Sequence, residues 1–411
     1  MTPVPPRTPT TPKPSRWPLS PQTVRAVLAG HSVLGLAFAG IIYLVCLTGT
    51  LAVFTPDIAR LEVSHAPALE TISDRAIDTA LRAATRLAPA DATFYASLPG
   101  PARRGATVTA YTPAFERTWA IAADGTLVPF DARWSEFLID LHIDLHLPRR
   151  IGAFLVGLTG VALLSSLVSG VLAHPRIVRD AFHLRLGGSR RLQEADWHNR
   201  LGVWALPFHF VLALTGALLG LSTVIVAGLA MLLYRGDTAR VYDLFVEPPL
   251  ASDARRVPLT DLAPLLARVR RETPEATPQN LILEHPGRAD MRLTVSSGRA
   301  RLLAQQDEVR FGAEGQILKQ HHPRDLAAGT RILASLGQLH FGWFAGFALR
   351  LAYGLLGLAL CVVTSTGVTI WLARRRDRGR AAPGFERVWS AVCWGQPAIL
   401  AASGALALAW P

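Results

Sequence analysis

Cysteine is scarce in this chain. Cys46, Cys361 and Cys393 are the only three, and no two form a Cys-x-x-Cys pair, so neither a disulfide framework nor a cysteine zinc site is encoded. Without a Cys-x-x-Cys-His run, a covalently attached c-type haem is excluded. The glycine loops that cradle nucleotide phosphates, GxGxxG and GxxxxGK[ST], are missing from any strand–turn–helix context. HExxH and GxSxG are absent too, which argues against zinc-protease and nucleophile-elbow chemistry. Acidic residues are few: 30 against 42 Lys and Arg give a net charge of +12. The basic excess clusters beside apolar runs, the pattern of membrane orientation rather than of nucleic-acid binding.

What the chain has in quantity is apolar sequence. Half of the 411 residues are hydrophobic and the mean hydropathy is +0.28, as expected of a membrane protein with extramembrane parts. Residues 1–26 read as a disordered basic tail rich in Pro and Thr, not as a secretory signal. Spans are expected at 27–54, within 138–175, at 196–233 and within 335–373. A further apolar segment at 388–411 is expected to span as a fifth. The second and fourth spans have outward lead-ins, FLIDLHIDLHLPRR and LGQLHFGWFAGFALR. Arg7, Lys13, Arg16 and Arg25, the basic link 176–195, and the link 374–387 with its run RRRDRGR all place their span ends in the cytoplasm.

Between the spans lie two polar regions, 55–137 and 234–334. Each opens with an amphipathic helix, ISDRAIDTALRAATRLAP and VPLTDLAPLLARVRRETPEA. Alternating strands follow: TFYASLP, ATVTAYT, TWAIAAD and TLVPF in the first region, LILEHP, MRLTVSS, ARLLAQQ and EVRFGAEGQIL in the second. The chain is thus a repeat of span, α+β module, span, used twice. His-x-x-Leu-Gly occurs at His31 and at His198, with a Thr-Gly pair at the same offset after each (Thr48-Gly49, Thr215-Gly216). A Leu-His pair (His142, His340) precedes each second span, which ends in Ser169-Gly170 or Thr366-Gly367. The implied architecture is a four-helix membrane bundle in two pseudo-symmetric pairs, with both modules on the periplasmic side. Gly49, Gly170, Gly216 and Gly367 are expected to let helices approach closely.

The stretch DWHNRLGVWALPFHFVLALTGALLGLS places His198 and His209 eleven residues apart. On one straight helix they share a face and stand about 16 Å apart. Ionisable groups in a span are costly and mark functional sites. His31, His174 and His198 fall at inner span ends, His142 and His340 at outer ones, and His209 deeper. His146 is expected on the His142 face but is left out of the site. These six imidazoles at two heights suit the iron of two non-covalent b-type haems. Arg149 and Arg350 are candidate partners of haem propionates, and Arg200 could take the same part at the inner face. His65, His183, His285, His321 and His322 read as ordinary polar residues.

WHNRLGVWALPFHF and SGVLAHPRI, with the paired helix-plus-strand modules, resemble the PepSY-associated transmembrane family over nearly the whole chain to about residue 376. That resemblance implies a bacterial inner-membrane protein, multi-pass with a cytoplasmic N-terminus. It also implies an oxidoreductase of the ferric-siderophore reductase type that passes electrons through haem to a periplasmic ferric siderophore or other iron chelate. The electron donor would be separate, a cytoplasmic reductase or a quinol, and the lipid bilayer is the other partner. A competing implication is a PepSY-type binding or regulatory protein acting on a periplasmic peptidase, without redox activity.

Overall fold

The structure is a computed structural model and describes residues 19–101, 103–174, 177, 190–242, 244, 252–299, 302–303 and 307–410. His183, most of the link 176–195, residues 1–18 of the tail and most of ARLLAQQ lie outside them.

Ser20 starts the first helix, α1 (Pro21–Ala37). Its hydroxyl accepts the Thr23 N–H and Pro21 occupies the first turn, where a missing N–H costs nothing. A 67° bend at Phe38 leads into α2 (Ala39–Ala52), and α3 (Thr55–Glu62) follows. The first soluble region then gives α4 (Asp74–Leu87), β1 (Thr93–Ser97), β2 (Ala106–Thr112), β3 (Phe115–Ile121) and β4 (Leu127–Pro129). It returns to the apolar part through α5 (Arg133–Asp144) and α6 (Arg149–Leu172).

The second half repeats this order. A 71° bend separates α7 (Arg190–Trp204) from α8 (Leu206–Gly220). Next come α9 (Ser222–Leu233), α10 (Thr238–Tyr242), α11 (Leu262–Glu272), β5 (Ala276–Glu284), β6 (Arg292–Arg299), β7 (Asp307–Phe311), β8 (Ile317–His321), α12 (Ala328–Phe341), α13 (Gly346–Asp377) and α14 (Pro383–Ala409). Among the described residues α6, α13 and α14 are each long and apolar enough to cross a membrane. Five spans result if each bent pair counts as one.

Two expectations of straight helices fail. The run 196–233 is not one rod: it breaks at Ala205 and again at Leu221, so His198 and His209 do not share a straight helix face. Pro207 in the first turn of α8 has no N–H to continue α7 and disfavours helical backbone before it. The first half breaks at the equivalent place, seven residues after His31, with no proline there. Likewise His146 is not on the His142 face. α5 stops at Asp144, and Leu145 and His146 take positive φ of 58° and 54°.

The two soluble regions are one unit. Their strands form a single eight-stranded antiparallel sheet in the order β4-β3-β2-β1-β5-β6-β7-β8. The seam is β1 on β5, with Phe94 opposite Leu283 and Ala96 opposite Leu281. α4 buries Ile77, Ala80, Leu81 and Ala84; α11 buries Leu262, Leu265, Leu266 and Val269. Both stripes have helical period and join Phe94, Val108, Leu283, Leu293 and Phe311 in one core. Each large side chain removed from water there contributes about 1.5–3 kcal/mol. Asp78 locks the helices together by accepting the Leu262 N–H at 2.9 Å and pairing with Arg82 at 2.8 Å.

In the apolar part, helix contacts follow the repeat. α1 packs on α6 and α5 on α2 within the first half, as α7 packs on α13 and α12 on α8 within the second. Between halves, α6 crosses α8 and α2 crosses α13. The first of these crossings is close because Gly157 and Gly220 face each other: a Cβ on Gly220 would stand 2.6 Å from the Gly157 Cα, the small-residue contact of membrane helices.

Candidate functional site

Four histidines occupy one local arrangement, repeated on four helix pairs. His31 Nδ1–H donates to the Ser166 carbonyl at 2.9 Å and lies 3.3 Å from Ser169 Oγ. His142 Nδ1–H donates to the Val45 carbonyl at 3.0 Å and lies 3.3 Å from Thr48 Oγ1. His198 does the same with the Val363 carbonyl at 2.8 Å and Thr366 Oγ1 at 3.3 Å. His340 has Thr215 Oγ1 at 3.0 Å, with the Leu212 carbonyl as second acceptor.

The chemistry fixes the tautomer. A carbonyl only accepts, so the proton sits on Nδ1. Each Ser or Thr hydroxyl already donates to its own helix four residues back: Ser169 to Ser165, Thr48 to Leu44, Thr366 to Val362 and Thr215 to Val211. Its oxygen is therefore an acceptor for Nδ1 as well. Nε2 keeps its lone pair. A metal-ligating imidazole needs this outer hydrogen bond to fix tautomer and ring orientation.

The glycine after each hydroxyl makes room for the ring. A Cβ on Gly49 would stand 2.6 Å from His142 Cε1, on Gly216 3.0 Å from His340 Cε1, on Gly367 3.2 Å from His198 Cε1 and on Gly170 3.3 Å from His31 Cε1. These glycines were expected to admit a neighbouring helix; each instead admits an imidazole.

The cradled rings meet in pairs across the two halves. His31 and His198 have centroids 6.3 Å apart with ring planes at 80°, and His142 and His340 centroids 6.1 Å apart at 25°. The levels are separated along α13. Gly357 abuts Thr50, next to the seat of His142, and Gly367 seats His198; ten residues at about 1.5 Å each put them roughly 15 Å apart.

The other candidates stand as follows. His174, at the end of α6, lines the same cavity as His31 and His198, and its Nδ1 is buried without a partner. His209 is fully buried but, among the described residues, meets no other histidine. One ring nitrogen, Nε2, donates to the Leu356 carbonyl at 3.0 Å, and Nδ1 is buried and unpartnered. Arg350 is buried and ion-paired with Asp57 at 2.6 Å. The Arg149 side chain is 71% exposed and 4.0 Å from Asp144. His146 stacks on Phe137 and bonds its carbonyl. His322 belongs to the sheet and pairs with Asp307, which also holds Arg299. Burial raises the Asp307 carboxyl, and the hydrogen bonds from Arg299 and His322 more than offset it, holding it below the usual carboxylate range.

The periodic pattern hid one positioning residue. Glu62 at the end of α3 caps α5: its carboxylate accepts the Trp134 N–H at 2.7 Å and the Ser135 N–H at 3.0 Å, with the Ser135 hydroxyl at 2.5 Å. A carboxylate there satisfies orphan donors and meets the positive end of the helix that carries His142.

The model of the PepSY-associated TM region matches residues 28–374. The chain belongs to this family. All four cradled histidines, and the sheet between the two membrane pairs, lie within the matched region. The PepSY-associated chain also resembles an uncharacterized protein of Pseudomonas aeruginosa, with 32% identity over 255 residues, 58% of this chain and 64% of that protein. The match therefore spans less than two thirds of the relative.

Among the described residues no group of three or more His, Cys, Asp or Glu is placed to hold a metal ion. In this PepSY-associated protein the four cradled imidazoles come in twos.

Proposed function

We propose that the protein is a haem-binding oxidoreductase of the bacterial inner membrane that reduces a ferric chelate on the sheet side, a ferric-siderophore reductase in type. One observation carries the reading: two facing imidazole pairs, each ring tied through Nδ1 and free at Nε2. Two nitrogens each about 2.0–2.1 Å from one metal bring ring centroids to about 6 Å apart. The separations of 6.3 and 6.1 Å fit that demand.

His31 and His198 would hold one b-type haem, His142 and His340 the other. Bound haem supplies a one-electron couple whose potential follows its axial ligands and burial. The chain's own part is ligation and orientation. The carbonyls of Ser166, Val45, Val363 and Leu212 hold the proton on Nδ1 and direct the four rings, and the glycines let them seat deeply. The two levels share α13 as a common spacer. The inner pair would face the cytoplasm, on the side to which the basic links 176–195 and 374–387 would belong, and an electron donor there, a reductase or a quinol. The His142–His340 pair would lie beneath the sheet, where a ferric siderophore or other iron chelate would be the acceptor. In this architecture the four core spans are α1–α2, α6, α7–α8 and α13, with the sheet periplasmic and α14 as a fifth span. The family match supports equally a PepSY-type regulatory protein that engages a periplasmic peptidase, with the histidines structural.

An absorption spectrum of the purified protein separates the two. A Soret band, with α and β bands that sharpen on dithionite, is expected, and His31→Ala and His142→Ala should each remove about half of it. A folded, colourless preparation would sink the redox reading.

A further inference from the structure

We propose that one end of the inner cavity is a carboxylate-binding site that anchors the propionate side chains of the porphyrin; this rests on the haem reading above. The cavity beside His31 and His198 has a volume of about 410 Å³ and is lined also by His174, Asp196, Arg200 and Arg374. Arg200 is 3% exposed. Asp196, one turn earlier on α7, takes its Nη1, with the carboxylate at 2.9 Å and the carbonyl at 3.1 Å. Nε of the same guanidinium is buried and has no partner, and neither has His174 Nδ1, which arrives from α6.

Buried polar nitrogens are nearly always paired. Two unpaired ones from different helices, lining one cavity, mark a polar ligand group that completes them. The sign of that group follows from the charges: among the described residues two arginines line the cavity against one carboxylate, and that carboxylate is engaged by Arg200. The pairing also orients the guanidinium. One edge is held by Asp196, and the other is left as a fixed fork of donors suited to a carboxylate. Much of the remaining lining is apolar, with Leu36, Leu163, Val363 and Val368 among it, which suits a ligand with an apolar body and an acidic end. His198 is only two residues from Arg200, so a single turn of α7 would hold both the metal and the acid group of one cofactor.

The test compares haem with its dimethyl ester, which keeps the iron and macrocycle but has no carboxylates. Both are titrated into the apo full-length protein and followed by the Soret band. Ester is expected to bind one of the two sites at least tenfold more weakly. That difference should vanish in the double variant Arg200→Met with Asp196→Asn, which removes both charges of the buried ion pair together. Equal binding of ester and haem at both sites would overturn the inference, as would discrimination that persists in the double variant. A wild-type protein that takes up neither would overturn the haem reading itself.

Discussion

The Tyr43 hydroxyl donates to the Cys393 carbonyl at 2.9 Å, and the bond exists because of a third residue. Pro397 lies inside α14 and has no N–H, so the carbonyl four residues back loses its helical partner. Tyr43 on α2 supplies the missing donor and so fastens the last apolar helix to the bundle. Tyr43→Phe should cost about 1–3 kcal/mol by leaving a buried acceptor unmet. In a Pro397→Ala background, which restores the N–H, the same substitution should cost much less. A double-mutant cycle read from thermal unfolding in detergent checks this; equal costs in both backgrounds would refute it.

Gly49→Ala is the most severe of the four cradle substitutions, because the new Cβ would stand 2.6 Å from His142 Cε1 against 3.3 Å for His31 above Gly170. The ring must leave its seat, and its bond to the Val45 carbonyl goes with it. Gly49→Ala should remove most of the haem signal of the His142–His340 pair, whereas Gly170→Ala should shift the other pair's signal and keep most of its intensity. Haem content and reduced-minus-oxidised spectra of the two variants report the order directly.

Glu62→Ala should loosen α5 by about 0.5–2 kcal/mol, the range for losing an N-terminal cap. Because α5 carries His142, the loss should appear at one haem level and not at the other. Hydrogen exchange at the amides of Trp134 and Ser135 is expected to accelerate, with the His31–His198 signal unchanged. Exchange as slow as in the parent protein would exclude the capping role.

The sheet should resist acid through Asp290. Its carboxyl is held down to about 2, first by the hydrogen bonds from Arg288. The unfolded value is about 3.9. A depressed folded value means the stabilisation is complete above the unfolded value and is lost as pH falls toward 2. Sheet unfolding followed by circular dichroism should therefore show stability declining between about pH 4 and pH 2. In Asp290→Asn the part of that decline due to this carboxyl should be missing; an identical profile would show that the carboxyl plays no part.

Much of this was legible in the sequence because the repeat is written in small, well-spaced signals. The His-x-x-Leu-Gly and Leu-His repeats mark all four cradled rings, whereas the Ser-Gly and Thr-Gly pairs read as points of helix approach and not as seats for those rings. The amphipathic stripes of α4 and α11 and the alternation in β1 and β2 located the soluble part. What was not legible is what depends on contacts between distant segments. A helical wheel assumes a straight axis, so the bend at Ala205 undid the shared face of His198 and His209. Nothing in Phe94 or Leu283 alone says that β1 meets β5, since a buried strand looks the same whichever neighbour it has. Glu62 reads as an ordinary charge near a helix end until the Trp134 and Ser135 amides are seen pointing at it. The histidine pairing was hidden for the same reason, because each ring's counterpart lies in the other half of the chain.

That last arrangement has a consequence for how such a chain could arise. A protein with one repeat alone would offer each imidazole without its opposite number and would finish a binding site only by meeting a second copy of itself. Its exposed β1 edge would be the natural place for the two copies to join, as β1 joins β5 here. Fusing the copies removes the dependence on concentration and frees each half to diverge, and His209, which has only Ile42 at the matching position of the first half, is where that freedom shows.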